Sequence, residues 1–170
     1  TGYPLVIVSH NGKEITLKQS IFDVLNRDAF TKNRTLAIPI HYHSRTEKGF
    51  FVFEKPTLSM IDIGAPESFF IDTTRGGYYR VIYQVDMYET HLRTYDDRDD
   101  IVSSLILDAL AGARAGYLKL RDVVVIVASA NKWPYLFEHF EKDVKGTRHE
   151  EAFEVLLAYL TPFCTNIRVS

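Results

Sequence analysis

Apolar residues along the chain follow two rhythms, and the change between them divides the sequence. The first has a period of two, as a strand with one buried face requires. Leu5–Ser9 is apolar and β-branched, His10-Asn11-Gly12 interrupts it, and Glu14–Lys18 alternates polar with apolar. Asn-Gly tolerates positive φ, so this stretch predicts a β-hairpin. Ser20–Asn26 reads as a short helix capped by Ser20. Thr35–His43 predicts a strand with Leu36, Ile38 and Ile40 on one face and Thr35, Ala37, Pro39, His41 and His43 on the other. Pro39 has no N–H to give to a ladder, which places that strand at an edge or a bulge. Phe50–Phe53, Thr57–Ile63 and the aromatic run Tyr78–Tyr88 predict further strands, with Gly64–Glu67 as a loop and Arg75-Gly76-Gly77 as a turn.

The second rhythm is helical. The acidic run Asp96–Asp100 suits the positive end of a helix, and Ile101, Val102, Leu105, Ile106, Ala109, Leu110 and Ala113 follow at helical spacing. Gly112 and Gly116 are read as its end. Tyr117–Ala128, with its continuous apolar run, predicts a mostly buried strand. A helix begins at Pro134, buries Leu136, Phe137, Phe140 and Val144, and stops at Gly146. Arg148–Leu160 predicts a last helix ended by Pro162, and Asn166–Val169 a returning strand. Strands first and helices later give an α+β fold: a largely antiparallel sheet with helices packed on one face.

Composition sharpens this picture. The 170 residues suit one domain spanning 1–170, and 46% hydrophobic with 13% aromatic residues is rich enough for a packed core. A net charge of -2 argues against broad duplex binding, which is carried by neutralising phosphates, and leaves room for a pocket taking one charged ligand. Cys164 is the sole cysteine, so neither an internal disulfide nor a cysteine-rich zinc site is available. No apolar run approaches the ~20 residues that span a bilayer, so no membrane contact is expected. The chain opens on Thr1-Gly2 without an initiator Met, which leads to the expectation of a domain excised from a larger protein and monomeric in isolation.

Few residues carry recognisable chemistry. No P-loop is present, Gly112-Ala-Arg-Ala-Gly116 follows a helix where a dinucleotide fingerprint opens one, and no nucleophile elbow occurs. His41 and His43 share a strand face; two imidazoles do not close a metal site, and the readings left are half-exposed strand histidines or a flat-ring platform for a base. Asp96–Asp100 lacks the Gly and closing Glu of a calcium loop and reads as a solvated cap. Asp143-Val144-Lys145 is the nearest approach to a nuclease spacing, inside a predicted helix. Trp133, beside Pro134, is read either as a core plug or as a stacking surface. No catalytic residue, metal or cofactor is expected.

From Arg98 onward the order of motifs resembles a known family. Arg98-Asp99-Asp100 precedes an amphipathic helix; Ser129-Ala130-Asn131-Lys132-Trp133-Pro134 follows in a loop; His139-Phe140-Glu141-Lys142-Asp143-Val144-Lys145 closes the series. Upstream, Thr16-Leu17-Lys18 and Thr35-Leu36-Ala37-Ile38-Pro39-Ile40-His41 agree more loosely. Together they resemble the cap-binding domain of the second basic subunit of orthomyxovirus (influenza-type) RNA polymerases, and the divergence points to the thogotovirus branch. The resemblance implies viral transcription by cap-snatching, in host nucleus and virion, with the acidic subunit, the catalytic basic subunit and capped host mRNA or viral RNA as partners. It implies a non-catalytic domain that grips N7-methylguanine between two aromatic faces and selects it with a carboxylate. His41 corresponds to the stacking histidine and Glu47 to the selecting carboxylate; Asn131 matches a loop asparagine, and Tyr117 or Trp133 stands in for a second ring. That ring is missing where the family has it, at Ala111 or Gly112. Asp62 stands for a pocket lysine, Pro39 for a basic residue, and His10-Asn11 for aromatics at the first turn. The expectation is therefore a cap-binding-like domain with weak or lost affinity, the other possibility being a structural or protein-interaction domain of the polymerase with no ligand.

Overall fold

A computed structural model describes residues 3–22, 35–61, 64–75, 78–129 and 145–146. The predicted hairpin forms from β1 (Tyr3–His10) and β2 (Glu14–Phe22), paired antiparallel from Tyr3↔Phe22 to His10↔Ile15. Asn11 shapes its turn: the Asn11 side-chain oxygen accepts from the backbone N–H groups of Lys13 (3.1 Å) and Glu14 (2.9 Å). Gly12 then takes φ 94°, a conformation that a Cβ would strain. β2 runs through Phe22, so Ser20 lies in a strand and does not cap a helix; the rest of the predicted 20–26 helix lies outside the described residues. β3 (Ile38–His43), β4 (Lys48–Phe53) and β5 (Thr57–Ile61) follow as expected. A 3₁₀ turn at Pro66–Ser68, the two-residue β6 (Phe70–Ile71) and a second 3₁₀ turn at Thr73–Arg75 lead to β7 (Arg80–Tyr83).

Two sheets result. One is four-stranded in the order β5-β2-β1-β7, antiparallel except for β1 against β7; the other is three-stranded and antiparallel in the order β4-β3-β6. Alternation along β1, β2 and β7 turns Val6, Val8, Ile15, Leu17, Val81 and Tyr83 to one face, where they meet Ile38, Ile40 and Phe53 of the second sheet in a common core. β6 pairs only with Tyr42 and His43, so Pro39 sits on a stretch of β3 that β6 does not reach. This agrees with the edge placement read from its missing N–H.

Helices supply the remaining cover. They are α1 (Val85–Thr94), α2 (Asp99–Arg114) and α3 (Leu120–Ser129), so the α+β class holds, with helices packed against sheets. Two predicted strands are corrected. The run 78–88 is a strand only to Tyr83. Beyond Gln84 the buried residues are Met87, Tyr88, His91 and Leu92, a helical stripe, with Asp86 in the first turn and Arg93 in the last, as the helix dipole favours. The run 117–128 is helical from Leu120. Val123, Val124 and Val127 are buried while Val125 is 50% exposed, a spacing no half-buried strand gives. Burial against α1 and α2 overrides the β-propensity of that valine run. The helix read from Asp96 to Gly112 begins at Asp99, passes through Gly112 and ends at Arg114. The helices predicted from Pro134 and Arg148, and the strand at 166–169, lie outside the described residues.

Side chains close the gaps between layers. Among the described residues β7 is an edge strand, and two of its N–H groups find partners on helices: Val81 donates to the Asp108 carboxylate (3.2 Å) and Tyr83 to the Tyr88 hydroxyl (3.1 Å). Asp108 also receives Arg80 Nη1 at 2.8 Å. Gln19, 3% exposed, bridges the sheets: its amide nitrogen donates to the carbonyls of Leu36 (2.8 Å) and Phe53 (2.9 Å), and its oxygen accepts from Leu36 N–H (3.0 Å). Replacing it by Leu leaves those three backbone groups without that partner. Gln19→Leu is expected to lower stability by about 1–3 kcal/mol in urea unfolding; an unchanged midpoint would show that the bridge contributes nothing net.

His91 is 1% exposed and its Nε2 has no hydrogen-bond partner. Burial lowers its pKa to about 4, against the opposing pull of the Phe69 carbonyl and Asp86. The folded value lies below the ordinary 6.5, so the unfolded chain takes the proton first as pH falls. Stability present above pH 6.5 is thus lost as pH drops from 6.5 towards 4. Between about pH 7.5 and pH 5 the native chain is expected to lose about 2 kcal/mol more than His91→Phe in parallel urea titrations. Identical slopes for the two proteins would place the acid sensitivity elsewhere.

Candidate functional site

The second sheet turns one face to the core, and its other face is open to solvent along β4 but covered at β6, where Phe70 is buried. Along β3, Ile38, Ile40 and Tyr42 point inward, while Pro39, His41 and His43 point outward. The turn at 44–47 sets the register with β4. Ser44 Oγ accepts from Glu47 N–H at 3.1 Å, and Ser44 N–H donates to the Glu47 carbonyl at 2.8 Å. That register puts Phe50 opposite His41, Val52 opposite Pro39 and Lys48 opposite His43. The His41 and Phe50 rings lie 4.6 Å apart at 40°. Phe50 is 56% and Val52 48% exposed. A solvent-facing antiparallel face is ordinarily polar; this one presents a phenyl ring, an imidazole and apolar neighbours.

Glu47 does not join His41. Its Oε1 accepts from the Tyr42 hydroxyl at 2.8 Å, and Tyr42 leaves β3 on the opposite face. The Tyr42 ring stacks on Phe69 (5.3 Å, 22°) and lies against Gly49, where a Cβ would come within 2.5 Å of it. The Glu47 hydrogen bond, followed by burial, holds the Tyr42 hydroxyl above its ordinary range. This pairing is not legible in the sequence, because it depends on a tyrosine that alternation turns inward.

Tyr117 lies elsewhere again. It packs with Leu5, Ile7, Ala111 and Ala115 on the face of the first sheet turned away from the second, and its hydroxyl is 3.4 Å from Ser20 Oγ. The end of α2 rests on that same face: a Cβ on Gly112 would come within 2.7 Å of Ile82 Cδ1. His41, Glu47 and Tyr117 therefore occupy three separate places, while Asn131 and Trp133 lie outside the described residues. Sequence reasoning missed Phe50 as a partner of His41. The signal was available once the 44–47 turn was placed, since Lys48, Phe50 and Val52 then alternate onto one face.

His43, two residues on, touches Phe70 (6.1 Å) and Tyr95 at the end of α1 (6.5 Å). Burial lowers its pKa first, then Lys48, Arg75 and Arg98; Asp72 opposes them. Two cavities among the described residues measure ≈ 10 Å³ each, one beside Thr73, Ser104 and Asp108, the other among Leu92, Ile106 and Val127. Each is the size of a water and neither is lined by His41. Among the described residues no group of three or more His, Cys, Asp or Glu is placed to hold a metal, and no helix is long and apolar enough to cross a membrane.

No model of a known protein family matches the chain, and none of the curated proteins matches it. The close contact at Gly49 yields a direct test of the local packing. Gly49→Ala is expected to displace the Tyr42 ring and cost about 1–3 kcal/mol in thermal or urea unfolding. A neutral result would mean that β4 shifts to make room.

Proposed function

We propose that this chain is a cap-reader-type domain of a viral RNA polymerase subunit, non-catalytic, offering a stacking surface to a purine from one side only. The observation that supports this reading best is the exposed Phe50 ring against His41 on the outer face of β3 and β4. A flat, positively charged base such as N7-methylguanine is attracted to aromatic faces by dispersion and by cation–π interaction, about 0.5–2 kcal/mol per face. Glu47, the carboxylate that the resemblance assigns to guanine selection, is engaged with Tyr42. Ala111 and Gly112, where the resemblance places the second ring, pack against Leu5 and Ile82. Affinity for the methylated cap is accordingly weak, and discrimination against unmethylated guanine is small.

A second reading is favoured by the same face. Phe50, Val52 and Pro39 are all exposed on it, and an apolar strip of this kind suits a protein contact within the polymerase.

Calorimetric titration of the 170-residue chain with 7-methyl-GTP, GTP and 7-methylguanosine separates the readings. Stacking from one side predicts dissociation constants of about 1 mM or weaker, less than about tenfold preference for the methylated base, and loss of binding in both His41→Ala and Phe50→Ala. Saturation at micromolar 7-methyl-GTP with strong methyl selectivity would require a complete two-faced pocket and would overturn the weak-affinity reading. No heat up to about 10 mM of any of the three leaves the protein-contact reading standing alone.

A further inference from the structure

We propose that the tip of the β1–β2 hairpin modifies itself: the Gly12 backbone nitrogen attacks the Asn11 side-chain amide, which leaves as ammonia, with His10 as general base and Asp86 holding the imidazole. The site belongs to the first sheet, whereas His41 and Phe50 lie on the second, and it does not rest on the function proposed above.

Three groups form one chain of hydrogen bonds at this turn. His10, the last residue of β1, accepts the Gly12 N–H on Nδ1 at 3.1 Å. Nε2 is then the protonated nitrogen of the ring, and it donates to the Asp86 carboxylate at 2.6 Å. Asp86 lies in the first turn of α1, and Gln84 fixes that turn to the hairpin. The Gln84 N–H donates to the Val8 carbonyl at 2.8 Å, and its side-chain oxygen accepts the His10 N–H at 3.1 Å. The His10 side chain is 12% exposed, while Asn11 and Gly12 stand open to water. Carboxylate, imidazole and the group to be deprotonated follow in the order by which hydrolases activate a serine.

The electrophile is prepared as well. Asn11 Oδ1 accepts from the N–H groups of Lys13 (3.1 Å) and Glu14 (2.9 Å). Two backbone donors on a carbonyl oxygen draw electron density from its carbon and stabilise the negative charge that attack places on the oxygen. Glycine at position 12 leaves the attacking nitrogen unshielded, since nothing lies within 4 Å of where a Cβ would stand.

The reaction closes without any outside reagent except water. His10 Nδ1 takes the Gly12 amide proton as the nitrogen bonds to Cγ of Asn11, and the carbonyl electron pair moves onto Oδ1. The imidazolium passes the proton to Nδ2, the Cγ–Nδ2 bond breaks, and ammonia leaves behind a succinimide ring. Water opens that ring at either carbonyl. Opening at Cγ gives an aspartate, whose carboxylate still accepts from Lys13 and Glu14. Opening at the main-chain carbonyl gives an isoaspartate, which adds a methylene to the turn. Either way one water is consumed, one ammonia is released, and the hairpin tip gains a negative charge.

The test incubates the native chain, and the same chain unfolded in urea, at one neutral pH and in one buffer. The tryptic fragment ending at Lys13 is followed by mass; Asn11 is its only amide side chain. The native chain is expected to convert at least about tenfold faster than the unfolded one. His10→Gln is expected to remove that excess, and His10→Ala to regain part of it in imidazole buffer. Asp86→Asn is expected to slow the native chain by about tenfold, and Asp86→Glu to restore part of the rate, a rescue that tracks the carboxylate and not the fold. Amide spectra confirm that the variants fold. A native chain that converts no faster than the unfolded one overturns the proposal without recourse to any variant. A native rate indifferent to His10→Gln overturns it equally.

Discussion

Backbone groups at strand edges must find partners, and in this chain side chains from other layers supply them. Among the described residues strand β7 has β1 on one side only, and the N–H groups of Val81 and Tyr83 are met by Asp108 from α2 and Tyr88 from α1. The Tyr83 hydroxyl in turn accepts the Ile71 N–H at 2.8 Å, tying β6 to the same strand. Gln19 performs the equivalent task between the sheets. These contacts are directional, so they fix how the layers sit where apolar packing alone would tolerate sliding. They also decide which face of the second sheet turns outward: with Ile38, Ile40 and Phe53 drawn to the core beside Gln19, His41 and Phe50 are left in solvent.

The parts legible in the sequence are those set by local chemistry. The hairpin follows from Asn11-Gly12, the face of β3 from alternation, and the start of α2 from its acidic run. What misled was a period change inside an apolar stretch. Arg80–Tyr83 and Val85–Thr94 are joined by one residue, Gln84, with no Gly or Pro to mark the switch. The valines of α3 favour a strand by propensity, and only their burial pattern against two other helices reveals the helix. At the candidate site the same distinction holds. His41 was legible because its strand face was; the commitment of Glu47 to Tyr42 was not, because it needs the turn geometry and the space above Gly49.

Exposure of Phe50 beside His41 carries a cost that a purely structural face avoids. Burying a phenyl ring contributes about 1.5–3 kcal/mol, and this ring forgoes more than half of its burial. A polar residue would satisfy β4 equally well at that position.

Under the stacking reading, weak affinity is built into the helix packing and is not the loss of one ring. Ala111 is buried, and Gly112 sits so close to Ile82 that even a methyl group needs the isoleucine to move. Both face the first sheet, in the cluster that contains Leu5 and Ala115, and not the outer face of β3. An aromatic residue at either position has no room where it stands and no path to His41 from there. Among the described residues no ring supplies a second face for the base over His41; under this reading that face comes either from another element of the chain or of the polymerase, or from the RNA itself, by stacking of the next nucleotide on the first. The second source needs no change in this domain, and it favours a surface that reads a stacked strand with its phosphates over one that encloses a single base.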